Sequence, residues 1–381
     1  MFKPKSMNSD SNSTINNLPR IPRLSPSVVA LRHRYEELEE KYNLLRTKYE
    51  RVKGTWSPPE VTKDLHQKIA RLTRARDEKA QPFIRFLIIT NKAVENNILL
   101  TCSFNSGNVK YNAVKYEFNE NHAMEYGGYI YSCEILSEDM NHNTVILQEN
   151  NSKTSISLNL KILKSNINKK FNFSICIPPL HGNIYWKKLI AFIETNKILG
   201  ANHFFFYTFN YESTEIKKVL RYYSEAGFVT LKSWTIPTTN IWYNGQMSNI
   251  HHCLYENIGI SKYTIFQDID EIMVPLKVDN WKLLMENIDT GEHCGYRVSS
   301  VFMDTSDDPL VFLKAGERYK NINNMRSKCI VKSDLIFEQG IHHISKQNVE
   351  EYTPQNADVS EVLLYHFRNC DGMFGFNCAE K

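Results

Sequence analysis

The sequence lacks several features that would place it in a familiar class of protein. Neither GxGxxG nor GxxxxGK[ST] occurs in its 381 residues, which argues against a phosphotransferase or nucleotidyltransferase built on a glycine-rich phosphate loop. No two cysteines have CxxC spacing, so a zinc ribbon is not expected. The sequence shows no run of about 18 uninterrupted apolar residues and no apolar segment of a signal peptide.

The composition is that of a globular protein whose charge is unevenly distributed. Hydrophobic residues make up 42% of the chain and charged residues 23%, which allows a sizeable packed core. Residues 1–80 have a net charge of +7 and the rest of the chain a net charge of −3. The main body therefore has no basic surplus of the kind that binds nucleic acid.

The cysteines do not decide whether the protein belongs in an oxidising or a reducing compartment. An even number fits a few disulfides in a secretory-pathway enzyme, and it equally fits eight reduced thiols in a core. They are spread along the chain at Cys102, Cys133, Cys176, Cys253, Cys294, Cys329, Cys370 and Cys378.

The N-terminal part predicts a disordered tail followed by helix. Residues 1–26 are polar and rich in Ser, Asn and Pro. Between residues 28–52, apolar or aromatic residues recur at alternating steps of three and four, the spacing of a heptad seam. We interpret this as a short coiled coil that joins two copies of the chain, with a helix packed on its own domain as the alternative. A second, basic helix at about 60–79 completes a helical segment over 27–80.

Two further regions follow. Residues 81–170 contain short β-rich runs separated by Asn- and Gly-containing turns, and they predict an accessory β-rich region. In residues 171–381 strands alternate with helices, which is typical of an α/β domain with a mixed or parallel sheet flanked by helices. The fourth of these strands, residues 263–267, leads directly into an acidic cluster.

That cluster, Asp268-Ile269-Asp270-Glu271, is the motif with the clearest chemistry. The carboxyl ends of parallel strands are where open α/β sheets bind ligands. Two carboxylates one residue apart can bind the same hard cation, such as Mn²⁺ or Mg²⁺, and leave positions for phosphate oxygens. The alternative is a solvated acidic turn, but the preceding α/β pattern favours a metal site made by Asp268 and Asp270.

The chain resembles the family 92 glycosyltransferases in a series of residues that spans about half of its length. In chain order the series comprises Trp186, Glu194, Leu199-Gly200-Ala201, Phe206-Tyr207, Leu220, Tyr222, Trp234, Pro237, Gly245-Gln246, Cys253, Asp268-Ile269-Asp270-Glu271, Arg326-Ser327-Lys328, Gly340-Ile341-His342 and Tyr365-His366-Phe367-Arg368.

The resemblance implies a fold and an activity. The fold would be a GT-A-type, Rossmann-related domain, and the activity an inverting, Mn²⁺-dependent transfer of galactose from UDP-galactose. Some family members act on fucose in N-glycan cores, and plant relatives act on galactan. The resemblance also implies a Golgi or other secretory-pathway membrane, although no anchor is visible in this sequence. The alternative is an inactive family member that acts as an interaction scaffold through the coiled coil.

The resemblance further suggests roles for individual residues. Asp270 would bind the metal. Asp268 would bind the ribose or uridine side of the donor or share the cation through a water molecule, and Glu271 would orient the loop or cap the segment that follows it. A histidine commonly completes the metal sphere of GT-A enzymes, and both His342 and His366 are candidates.

Further candidates would bind the donor or catalyse the transfer. Cations that could counter the diphosphate are Arg326, Lys328 and Arg368, while Gln246 would face the donor. An inverting transfer needs a general base, for which the candidates are Asp304, Asp307 and Asp308. Trp234 and Trp242 would stack on a sugar or uracil ring, or belong to the core.

Overall fold

A computed structural model describes nine segments of the chain, which together form a mixed α/β structure, as predicted. These segments are residues 69–73, 82–95, 98–104, 109–150, 155–163, 168–209, 213–303, 311–314 and 318–368. Among them, no helix is both long enough and apolar enough to cross a membrane.

The first part is a closed barrel of seven strands in the order β1-β2-β5-β4-β3-β6-β7, in which β1 pairs with β2 antiparallel and with β7 in parallel. Large side chains such as Phe86, Tyr129 and Tyr131 fill its interior, and a disulfide joins Cys102 to Cys133. The elements are β1 Ile69–Thr73, β2 Phe83–Asn91, α1 Lys92–Glu95, β3 Leu100–Ser103, β4 Lys110–Glu117, β5 Tyr126–Glu134, β6 Thr144–Glu149 and β7 Ser155–Leu163.

The prediction of a helix at about 60–79 is wrong for residues 69–73, which are the part of this range that the structure describes. Residues 69–73 form strand β1, because their backbone groups pair with β2 on one side and with β7 on the other. The β-rich part thus begins before residue 81. The predicted tail at 1–26, the heptad seam at 28–52 and the remainder of the predicted helical segment 27–80 lie outside the described residues.

The second part is a nine-stranded mixed sheet in the order β10-β9-β8-β11-β14-β13-β18-β12, with β17 beside β13. A separate hairpin pairs β15 with β16. The elements are β8 Phe171–Cys176, α2 Trp186–Leu199, β9 His203–Thr208, α3 Thr214–Glu225, β10 Val229–Ser233, α4 Gln246–Glu256, β11 Ser261–Phe266, β12 Glu271–Pro275, α5 Trp281–Ile288, β13 His293–Met303, α6 Val311–Lys314, β14 Arg318–Val331, β15 Ile336–Gln339, β16 Ile344–Gln347, β17 Thr353–Asn356 and β18 Val362–Phe367.

Four neighbouring strands of this sheet, β10, β9, β8 and β11, run parallel to one another. Parallel neighbours need crossover connections, which α2, α3 and α4 supply along the chain. The carboxyl ends of the four strands consequently lie along one edge of the sheet. Asp268 follows β11 at this edge, and the segments after β8 and β10 start from the same edge.

Helix α4 joins the barrel to the sheet, and each of its 11 residues is buried. One hydrophobic cluster contains Phe118 and Ile130 of the barrel together with Ile250 and Leu254 of α4. The disulfide between Cys176 and Cys253 attaches α4 to β8. A helix buried on all sides needs protein on all sides, so the barrel and the sheet share a core through α4.

Candidate active site

Hydrogen bonds fix the turn that follows β11. Gln267 is buried and donates from Nε2 to Asn196 Oδ1 at 2.9 Å, which ties the strand end to α2. The backbone N–H of Asp268 donates to Glu271 Oε2 at 2.8 Å, and the N–H of Glu271 donates to the Asp268 carbonyl at 3.1 Å. These reciprocal bonds close the turn on itself, and the side chains of Asp268 and Asp270 remain 35% and 41% exposed.

Lys328 of β14 brings a buried positive charge to this turn. Its side chain is 3% exposed, and Nζ lies 3.0 Å from Asp268 Oδ2 and 3.7 Å from Glu271 Oε2. Desolvation alone would lower the pKa of Lys328, but the two carboxylates outweigh it and raise that pKa. Desolvation likewise opposes ionisation of Asp268, yet Lys328 lowers the pKa of Asp268. Both groups are therefore charged at neutral pH.

His366 of β18 lies on the other side of the turn. It is paired with Glu271 in the β12–β18 register, and its ring lies against the carboxylates of Asp270 and Glu271. Nε2 is 3.4 Å from Asp270 Oδ2, and Nδ1 is 3.7 Å from Glu271 Oε1. Burial alone would lower the pKa of His366, but these carboxylates raise it. Burial raises the pKa of Glu271 to about 7, with the neighbouring Asp268 acting in the same direction.

His342 is held in one tautomer by the backbone. Its Nδ1 lies 2.9 Å from the Ser327 carbonyl oxygen, which can only accept, so Nδ1 carries the proton. Burial and the nearby Lys328 lower the pKa of His342 to about 4. The ring is therefore neutral at physiological pH with a free electron pair on Nε2, the form of imidazole that binds metals.

The remaining predicted residues have no polar contact with the two aspartates or lie outside the described residues. Among the described residues, no hydrogen bond or ion pair joins Asp268 or Asp270 to Arg326, Arg368 or Gln246. Gln246 is buried at the first position of α4, Arg326 is partly buried and Arg368 is exposed. The candidate bases lie outside the described residues, and these are Asp304, Asp307 and Asp308.

The barrel adds contacts to the site region that the sequence did not reveal. Glu120, in the loop between β4 and β5, accepts a hydrogen bond from the backbone N–H of Ile341 at 2.5 Å, next to His342. Glu338 accepts from the Tyr116 hydroxyl at 2.6 Å and from the Asn119 backbone at 2.7 Å. These partners are more than 200 residues apart in the chain, and no local pattern signals such a contact.

Replacing Lys328 by methionine is expected to lower the free energy of unfolding by about 3–5 kcal/mol, because Asp268 and Glu271 would lose their buried counter-charge. Urea denaturation of the two proteins measures the difference. Lys282→Met is the matched control, since Lys282 forms an exposed pair with Glu286, worth about 0–1 kcal/mol. Equal changes in the two variants would contradict a structural role for the Lys328 charge.

Comparison with known proteins identifies relatives of the part that carries this site. Residues 171–380 match the sequence model of glycosyltransferase family 92. Over 272 residues the chain is 31% identical to beta-1,4-galactosyltransferase galt-1 of Caenorhabditis elegans, which covers 67% of this chain and 63% of that relative. Over 119 residues it is 28% identical to glycosyltransferase family 92 protein F13G3.3 of the same organism, covering 28% of this chain and 23% of the relative.

Proposed function

The chain belongs to glycosyltransferase family 92, and from this premise we propose that it transfers a hexose from a UDP-sugar to a glycan acceptor with inversion. One observation carries the proposal: Asp268 and Asp270 follow a parallel strand, with Lys328 and His366 in contact with them. Galactose is the proposed hexose, because the relative with 31% identity is named a galactosyltransferase.

The sheet topology supports a GT-A-type fold for residues 171–381. Its parallel strands follow the order β10-β9-β8-β11, and the acidic turn comes directly after the last of them. In such sheets ligands bind outside the carboxyl ends of the strands. A nucleotide sugar lying across this edge would bring its diphosphate to Asp268 and Asp270.

The side chains at the acidic turn could supply ligands to a hard divalent cation such as Mn²⁺. Carboxylate oxygens of Asp268 and Asp270 are ligands that this ion accepts, and so is an imidazole, either that of His342, which is already neutral, or that of His366, which would first lose its proton. Within the described residues, no three His, Cys, Asp or Glu side chains are arranged to hold a metal on their own. Magnesium-like ions in nucleotide sites commonly bind one or two carboxylates and take further oxygens from the substrate phosphates. We therefore propose that metal and UDP-sugar bind together.

The proposed reaction is a single displacement. A carboxylate base takes the proton of the acceptor hydroxyl, whose oxygen forms a bond to the anomeric carbon while the bond from that carbon to UDP breaks. The bound cation would neutralise charge on the departing diphosphate. Lys328 keeps Asp268 ionised, and the bonds between Asp268 and Glu271 hold the turn in place for the leaving group. Asp304, Asp307 and Asp308 stay the candidates for the base.

The proposed compartment is the secretory pathway, with the Golgi membrane as the site implied by the family. The two disulfides, Cys102–Cys133 and Cys176–Cys253, support it, because such cross-links persist in oxidising compartments.

The test is a transfer assay with UDP-galactose, Mn²⁺ and two acceptors, a core-fucosylated N-glycan and a galactan oligosaccharide. Nuclear magnetic resonance of the product would give the anomeric configuration, which is expected to be β from an α-linked donor. Product with retained configuration would disprove the displacement. Neither transfer nor hydrolysis of UDP-galactose, together with no binding of UDP in the presence of Mn²⁺, would favour the inactive scaffold.

A further inference from the structure

A small cluster of residues concentrates the unusual backbone conformations of the molecule. Among the described residues, three that are not glycine have positive φ: His122 at 52°, Tyr243 at 44° and Asn244 at 58°. All three belong to one place, because the His122 ring stacks on Trp242 with ring centres 3.9 Å apart. Left-handed backbone costs a non-glycine residue of order 1–3 kcal/mol and occurs preferentially at functional sites.

Surrounding contacts hold this conformation. Trp234 donates from Nε1 to the Asn244 carbonyl at 2.9 Å, and the N–H of Gly245 donates to the Trp242 carbonyl at 3.0 Å. On the barrel side, the Lys92 ammonium donates to the carbonyl of His122. The barrel and the sheet thus contribute separately to the same strained surface.

The strain exposes aromatic rings instead of burying them. Trp242 is 38% and Tyr243 53% exposed. The exposed His181 ring lies edge-on to Tyr243, with ring centres 5.6 Å apart. We call this surface the aromatic platform and define it as His122, His181, Trp242 and Tyr243. Core packing does not explain why the fold accepts strain in order to present these rings to solvent.

The aromatic platform lies at the same edge of the sheet as the acidic turn. His181 belongs to the segment after β8, and β8 is the direct neighbour of β11. Trp242 and Tyr243 belong to the segment after β10, three strands from β11. With about 4.8 Å between neighbouring strands, that segment starts about 14 Å from the acidic turn. The platform is therefore built from segments that leave the sheet at the same edge as the acidic turn.

The chemistry of the surface fits a sugar ring. Aromatic faces carry negative charge density and attract the weakly positive C–H groups on the apolar face of a pyranose. The rim is polar, with Asn240 donating to Glu125 at 2.6 Å and both side chains exposed, so it can meet hydroxyl groups. A uracil ring could also stack on such a surface, and in that case the KM for UDP-galactose would change in place of the KM for the acceptor.

We propose that the aromatic platform binds a pyranose unit of the acceptor glycan, beyond the sugar that receives the hexose. The proposal rests on the proposed function and gives the barrel a part in acceptor selection through His122. It assigns the strained backbone at Tyr243 and Asn244 to recognition of an oligosaccharide.

The test compares Trp242→Ala and Tyr243→Ala with wild type, using UDP-galactose and whichever of the core-fucosylated N-glycan or galactan oligosaccharide the wild type modifies. The KM for the acceptor is expected to rise on the order of tenfold, with the KM for UDP-galactose within about twofold of wild type. Tyr243→Phe should restore the acceptor KM. Tyr222→Ala removes a similarly exposed tyrosine from α3 and serves as the control. A rise in the donor KM instead, or an unchanged acceptor KM, would overturn the proposal.

A binding experiment separates failure of this proposal from failure of the proposed function. Intrinsic tryptophan fluorescence is titrated with each of the two glycans in the absence of donor. A saturable change is expected for wild type, and its loss is expected in Tyr243→Ala, which retains every tryptophan. Glycan binding without transfer, without hydrolysis of UDP-galactose and without binding of UDP in the presence of Mn²⁺ would support the aromatic platform and contradict the proposed enzyme activity. No saturable change with either glycan would remove the platform, even if transfer occurs.

Discussion

Asp270→Asn is expected to lower kcat for the proposed sugar transfer on the order of 10²–10³-fold, since loss of the proposed charged metal ligand would remove several kcal/mol of transition-state stabilisation. The substitution keeps the shape of a side chain that is 41% exposed and removes only its charge. The fold should therefore survive, and the loss should appear as weaker Mn²⁺ dependence. Initial rates against Mn²⁺ concentration measure the first effect, and electron paramagnetic resonance of Mn²⁺ binding in the presence of UDP measures the second.

Asp279→Asn is the matched control, because Asp279 is an exposed aspartate after β12 and outside the acidic turn. It should leave both the rate and Mn²⁺ binding close to wild type. An Asp270→Asn enzyme that keeps wild-type Mn²⁺ affinity would rule out Asp270 as a ligand of the cation. If kcat nevertheless falls in that variant, Asp270 would have a role in positioning the sugar.

A chain of residues 168–381, which contains the whole region matched to the family, is expected not to fold without the barrel. Without the barrel, one side of α4 would be exposed to water, because Ile250 and Leu254 on that side pack in one hydrophobic cluster with Phe118 and Ile130 of the barrel. Uncovering each large apolar side chain costs about 1.5–3 kcal/mol, and a domain has only about 5–15 kcal/mol of stability to lose. Soluble yield and near-ultraviolet circular dichroism would report the outcome.

The control for this truncation is a chain of residues 69–381, which retains all seven strands of the barrel. It should give a native circular dichroism spectrum. If residues 168–381 alone were soluble, cooperative in unfolding and active, then the barrel would be a separate appendage, and α4 would have to be stable with an apolar face in water.

The sequence predicted the acidic turn because its signal is local. A buried strand followed at once by Asp268 and Asp270 is visible in a few residues, and parallel topology places strand ends at one edge. The partners of the turn have no local signal. His366 faces Glu271 through a β-ladder between strands 95 residues apart, and Lys328 enters from β14 through the core. Their types were visible in the sequence, but their burial and distances depend on the tertiary fold.

The barrel illustrates a different limit. Short β-rich runs between turns predict strands within residues 81–170, yet closure depends on β1 joining β7, two segments separated by more than 80 residues. Residues 69–73 are flanked by basic residues that favour a helical pattern, and pairing overrides that preference. Similarly, the sequence does not decide between a stacking role and a core position for Trp242, because exposure cannot be read from the type of a residue.

Two buried cysteines can report how often the sheet opens. Cys294 and Cys329 lie on β13 and β14 as buried thiols, and burial raises their pKa values to about 11 and about 12. Thiolates react with alkylating reagents, so at neutral pH these two side chains should be modified only when the strands separate. The rate at which iodoacetamide labels the peptides around residues 294 and 329 would therefore report the frequency of that separation, without any engineered probe.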